Sequence, residues 1–197
     1  MRRWLVTLLL VVGCTRPSGG TPAATTTTLL PPEPTTAAAP TSTTSAEFAR
    51  PEVIDLPYVQ RVLEAIYHLD GEATRHAYAT KALDTELDER LDAIFGDPRL
   101  AAAKQVLKEE ATDGFERFAD PPADAHVRAV ELIQSKPTCM VLRADLDYGP
   151  QYKEYRPPQP QAVIQLLTVK VMPYNPTGWG IVAAGAVPPD KNLKVCT

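Results

Sequence analysis

The sequence predicts an α+β fold in which N-terminal helices pack on a C-terminal four-stranded antiparallel sheet, and three observations carry that expectation. Between residues 54 and 118 apolar side chains recur at spacings of three and four, the period of a helix that buries one stripe. From Ala125 to Val187 the period falls to two, the spacing of half-buried strands. Residues 1–46 show neither period, so residues 47–197 of the 197-residue chain are expected to form a single domain.

The first helix opens at Ile54-Asp55-Leu56-Pro57. Asp55 is suited to accept backbone N–H groups, Pro57 is tolerated in a first turn, and Ile54 can staple onto Val59. Val59, Val62, Leu63, Ile66 and Leu69 form its apolar stripe, and Asp70-Gly71 is expected to break it. A short second segment follows over residues 72–80. Leu83, Leu87, Leu91, Ile94 and Phe95 place another helix, closing at Gly96. Asp97-Pro98 predicts a further start, with Asp97 as cap and Pro98 at the first helical position, and Pro121-Pro122 ends the helical half.

Val127, Val130, Leu132 and Ile133 mark the first strand. In the second, Met140, Leu142, Ala144, Leu146 and Tyr148 share one face against Arg143, Asp145 and Asp147. Residues 161–172 are apolar on both faces, as in a central strand. Turn chemistry at residues 173–178 then precedes a last strand from Trp179 to Val187.

Residues 1–13 read as a signal peptide. Arg2 and Arg3 precede an apolar run from Trp4 to Val12, too short for the roughly 20 residues that span a bilayer. Residues 14–46 are dominated by Thr, Pro and Ala and cannot bury enough apolar area to offset their ordering entropy, which predicts a disordered tether. Val11-Val12-Gly13-Cys14 resembles the bacterial lipobox. That resemblance implies a diacylglycerol thioether on Cys14, cleavage before it, and anchoring in the cell membrane on its extracytoplasmic face. An ordinary secretory signal with an incidental cysteine is the alternative.

There are three cysteines. With Cys14 taken by lipid, Cys139 and Cys196 remain, and in an oxidising compartment they are expected to form a disulfide. Closing a loop of roughly 60 residues would stabilise by about 4 kcal/mol in the chain-entropy account.

The order of helices before an antiparallel sheet, ending on Trp179-Gly180-Ile181-Val182, is similar to the NTF2-like cone fold, which actinobacterial envelope proteins carry behind such anchors. The helical reading of residues 82–95 departs from that family, where a short hairpin is usual. No catalytic residue carries over from so general a pattern.

The formal net charge of −4 offers no basic footprint, so nucleic acid is not an expected partner. No cofactor or metal site is expected. Neither Cys139 nor Cys196 has a CxxC neighbour, and His68 and His76 are separated by the break at Gly71. Tyr148, Tyr152, Tyr155 and Arg156 are candidate partner-binding residues, being rigid aromatics with an arginine in a proline-rich stretch, although such residues also cover sheet edges. The expected function is a non-enzymatic envelope lipoprotein that binds a protein partner or a small apolar ligand, or assists assembly of an envelope complex. The alternative is an NTF2-like hydrolase or isomerase using Asp145, Asp147 or His126 in a deep apolar cavity.

Overall fold

The computed structural model describes residues 44–154, 161–185 and 196. The expected signal peptide, Cys14 and the tether through residue 43 lie outside the described residues, as do Tyr155 and Arg156. Three helices come first: α1 (Leu56–Thr80), α2 (Thr85–Ile94) and α3 (Arg99–Thr112). Four strands follow: β1 (His126–Lys136), β2 (Cys139–Asp147), β3 (Gln161–Val169) and β4 (Trp179–Gly185). They form one antiparallel sheet in the order β1-β2-β3-β4, so the α+β architecture read from the periods holds. No helix among the described residues is long and apolar enough to cross a membrane.

Residues ahead of α1 are tied to the turn before β4. Ser45 caps a single 3-10 turn over Ala46–Phe48, and its backbone N–H donates to the Pro176 carbonyl at 3.1 Å. Asp55 caps α1 as its residue type predicts, accepting the Tyr58 N–H at 2.9 Å.

The expected break at Asp70-Gly71 does not occur; α1 is one helix of 25 residues. Gly71 is buried, and a Cβ there would collide with the Asp124 carboxylate. That carboxylate lies 2.7 Å from Nδ1 of His68 and 2.5 Å from the Arg75 guanidinium, both on α1. Close packing of another segment against the helix backbone therefore outweighs the penalty of about 1 kcal/mol for a glycine in mid-helix. Gly71→Ala is expected to lower stability by about 2 kcal/mol in urea unfolding, because displacing Asp124 outweighs the gain in helix propensity. A stabilised variant would show that this contact is unimportant.

Asp84 caps α2, accepting the Leu87 N–H at 2.9 Å. Nε2 of His76 stands 3.0 Å from the same carboxylate, so this histidine ties the end of α1 to the start of α2. The Leu87 N–H is the largest influence holding the Asp84 carboxyl below its ordinary range, followed by His76.

Helix α3 starts one residue later than its sequence predicts. Pro98 occupies the cap position, and no side chain caps the helix. The preceding segment is held elsewhere: Phe95 bridges to Ile181 of β4, and the Gly96 N–H donates to the Ile181 carbonyl at 2.9 Å. Asp97 is consequently not at the cap, and Arg99 becomes the first helical residue.

Met140, Leu142, Ala144 and Leu146 of β2 point into the core beside Leu167, Trp179 and Ile181, where they meet Val59, Val62, Leu63 and Ile66 of α1. Burying each large aliphatic side chain contributes about 1.5–3 kcal/mol. Strand β1 carries two register shifts, between Val127/Ala129 and between Leu132/Gln134, and Ile133, passed over by the second, is 40 % exposed. Strand β3 ends at Val169 rather than near Met172. There Lys170 turns away, its N–H donating to the Gly178 carbonyl at 2.8 Å and its Nζ to the Phe95 carbonyl at 2.6 Å.

On the sheet's other face, Cys139 is joined by a disulfide to Cys196, with Cα atoms 5.8 Å apart. Cys196 is buried, its carbonyl accepts from Gln134 Nε2 at 3.3 Å, and Val141 next along β2 is 1 % exposed. The bond thus holds the end of the chain against the sheet face opposite the helices.

Candidate functional site

The chain leaves α3 through two consecutive left-handed residues, Gly114 (φ 64°) and Phe115 (φ 61°). The Phe115 N–H reaches back to the Glu110 carbonyl at 2.9 Å. Phe115 is a non-glycine residue in the left-handed region, and burial of its ring, 1 % exposed, offsets the strain. Beyond it, Phe118 forms an antiparallel bridge with Tyr152, the Ala119 N–H donates to the Gln151 carbonyl at 2.8 Å, and the Lys153 N–H donates to the Arg117 carbonyl at 3.0 Å. The segment after β2 is thereby fixed by its backbone. Phe115, Phe118 and Tyr152 stack successively, at centroid separations of 6.0 and 5.0 Å.

Tyr152 borders two concavities. One is an open groove of about 590 Å³ lined by Glu110, Glu116, Arg117, Tyr152, Lys153 and Glu154. Its floor holds a buried carboxylate, Glu110, gripped by Arg117 through two contacts of 3.0 and 2.5 Å. An arginine fork of this kind fixes the geometry of both groups. Burial, then Glu110 nearby, pushes the Tyr152 hydroxyl up to about 12, so it stays protonated at neutral pH.

The second concavity, of about 70 Å³, lies between the helices and the segment after β2. Asp70 and Thr74 of α1, Arg99 of α3, Gln151, Tyr148 and Tyr152 supply its polar lining, with apolar walls from Leu91, Leu107 and Phe118 among others. Tyr148 sets its ring edge-on to Tyr67 at 6.2 Å, and the Tyr67 hydroxyl in turn accepts from Gln165 Nε2 at 2.6 Å. Desolvation dominates here. It pushes the Asp70 carboxyl up to about 6, against the pull of Arg99, and raises the Tyr67 hydroxyl well above its ordinary value.

A carboxylate raised by burial has a definite consequence for stability. The unfolded chain, with a pKa near 3.8, gives up the proton before the folded one does, so stability is fully present below about pH 3.8 and falls as pH rises through about 6. Asp70→Asn removes that loss. Its stability advantage over the parent is expected to grow from near zero at pH 4 to about 2 kcal/mol at pH 7, discounted for the cavity's contact with solvent. Urea unfolding at a series of pH values measures it; a constant difference between the two proteins would refute the assignment.

The structure brings together Tyr148 and Tyr152 of the predicted partner-binding set, half-buried and packed inward as walls of these concavities. The carboxylates considered for catalysis lie elsewhere. Asp145 and Asp147 sit on the sheet face that also carries Cys139. Asp147 pairs with Arg128, the main influence holding its carboxyl below the ordinary range. His126 is exposed at the start of β1. Among the described residues no cluster of three or more His, Cys, Asp or Glu side chains is placed to hold a metal.

Sequence reasoning missed Asp70, Arg99 and Gln151. A signal existed for the first: an unbroken α1 carries the stripe Val62, Ile66, Asp70, Ala73 and Ala77, a carboxylate in register with buried apolar positions. No family model matches the chain, and neither does a curated protein or a solved structure.

Proposed function

We propose that this chain is a lipid-anchored lipoprotein of the extracytoplasmic face of a bacterial cell membrane, and that its domain binds a protein partner along the groove beside Tyr152 without catalysing a reaction. The observation that carries the binding reading is the groove itself. At about 590 Å³ it falls in the range of ligand-binding clefts, whereas the concavity beside Asp70, at about 70 Å³, is too small for an ordinary substrate. Tyr152, braced on Phe118, offers a rigid aromatic wall, and Arg117, Lys153, Glu116 and Glu154 give the rim charges of both signs. Tyr155 and Arg156 follow Glu154 directly in sequence. Anchoring is supported by Val11-Val12-Gly13-Cys14 and the Thr/Pro-rich stretch after it. The Cys139–Cys196 bond fits an oxidising compartment. Helices preceding an antiparallel sheet are what support a likeness to the NTF2-like cone fold.

Two measurements on the full chain test this. Mass spectrometry of the mature protein is expected to find Cys14 as the first residue, carrying acyl chains; an unacylated or uncleaved chain would sink the anchoring. A photo-crosslinking amino acid at Lys153 is expected to trap one discrete envelope protein in intact cells, while the same probe at Ala129, on β1, traps none. Equal products from both positions, or none from Lys153, would remove the groove as the binding face.

A further inference from the structure

The cavity beside Asp70 has a chemistry of its own. Gln151 is 4 % exposed, and its Nε2 donor has no hydrogen-bond partner among the described residues; the buried Nε of Arg99 is in the same position. Both residues line the cavity together with the Asp70 carboxylate. Buried donors are almost always paired, so two in one small cavity mark a place where an acceptor belongs. Their placement is imposed rather than accidental. Gln151 is held by its backbone, its N–H donating to the Tyr148 carbonyl at 3.0 Å and its carbonyl accepting from Ala119 at 2.8 Å. Arg99 stands in the first turn of α3, where a cation is electrostatically unfavourable and no acidic residue accompanies it.

We propose that this cavity is a binding site for a small uncharged primary amide, whose carbonyl accepts from Arg99 and Gln151 while its NH₂ group donates to Asp70. An uncharged ligand suits the site, because a carboxylate would face the Asp70 carboxylate at neutral pH and an ammonium would face Arg99. The volume, about 70 Å³, has room for a group of about four non-hydrogen atoms in place of a short chain of waters. Such a group can be a free molecule or the side chain of a glutamine or asparagine on a bound protein. Affinity for the isolated group is expected on the order of 1 mM, as its few atoms dictate.

Titration of the full chain, ¹⁵N-labelled and followed by NMR, tests the site with four probes: acetamide, acetate, methylammonium and the capped tripeptide Ac-Ala-Gln-Ala-NHCH₃, whose one primary amide is the glutamine side chain. Acetamide is expected to shift the Gln151 side-chain and Arg99 Nε signals saturably at pH 7, with acetate and methylammonium weaker by tenfold or more. A response to the tripeptide as well identifies a protein side chain as an acceptable source, and a response to acetamide alone identifies a free molecule. Gln151→Leu is expected to abolish the acetamide response while unfolding at the same or a higher temperature. Should that variant fail to fold, Asp70→Asn, which keeps the side-chain volume, is expected to weaken acetamide at least fivefold. Saturation by acetate at lower concentration than acetamide, no response to any probe, or an unchanged response in the variants would overturn the assignment and leave the cavity as a water site. The groove plays no part in this readout, so either proposal can fail without the other.

Discussion

Changing Cys139 and Cys196 together to serine is expected to lower the free energy of unfolding by about 4 kcal/mol, close to the figure that loop-closure entropy assigns to a crosslink of this length. The sequence separation is 57, and the bond ties the chain end to the first residue of β2, so the unfolded chain loses freedom across β2, β3 and β4. For a domain whose net stability lies in the usual range of roughly 5–15 kcal/mol, that is a large fraction. The measurement is urea unfolding of the oxidised parent and the double variant under identical conditions. A difference below about 1 kcal/mol would mean that contacts made by Cys196, rather than the bond, hold the terminus in place.

Asn175→Ala is expected to be comparably severe, about 3–4 kcal/mol, for a different reason. Asn175 is 4 % exposed, and its Nδ2 donates to the Ala93 carbonyl at 2.7 Å and to the Trp179 carbonyl at 2.8 Å. Its Oδ1 accepts from the backbone N–H and the hydroxyl of Thr177, at 3.0 and 2.7 Å. One side chain therefore closes the turn before β4 and ties it to the end of α2. Truncation leaves several buried backbone groups unpaired, each worth about 1–3 kcal/mol, of which relaxation and water recover part. Asn175→Asp separates the two halves of the network, because it keeps the acceptor for Thr177 and loses both donations. It is expected to be at least as destabilised as the alanine variant at neutral pH, because its second carboxylate oxygen faces the Ala93 and Trp179 carbonyls in a buried site. Equal stability of all three proteins would dismiss the network.

Local rules made much of this fold legible. Asp55 as a cap, the stripe of α1 and the alternation in β2 depend on near neighbours, and the structure places them as their residue types imply. The misplaced features all answer to distant parts of the chain. Gly71 reads as a breaker until Asp124 is packed against it, Pro98 as a first helical residue until Gly96 is tied to β4. Errors of this kind hid the cavity as well. Splitting α1 at Asp70 removed that carboxylate from the buried stripe, and Gln151 carries no periodic signal, since its burial follows from a bridge between Phe118 and Tyr152. The groove was half legible: the tyrosines after β2 stand out in the sequence, whereas no periodic signal joins Glu110 to Arg117, which meet because the chain turns back through Gly114 and Phe115.

Where the polypeptide enters and where it is fastened have a mechanical consequence. Thr44 and Ser45 meet the fold beside Gly178 and Pro176, and the Thr138 carbonyl next to Cys139 accepts from Val169, so entry and crosslink share one pole of the sheet. Strand β2, nine residues long, runs from that pole toward Gln151 and Tyr152, roughly 27 Å away at about 3.4 Å per residue. A load applied at Thr44 is thus taken up at the stapled pole, and the tyrosine-walled pole is the one turned away from that point of entry.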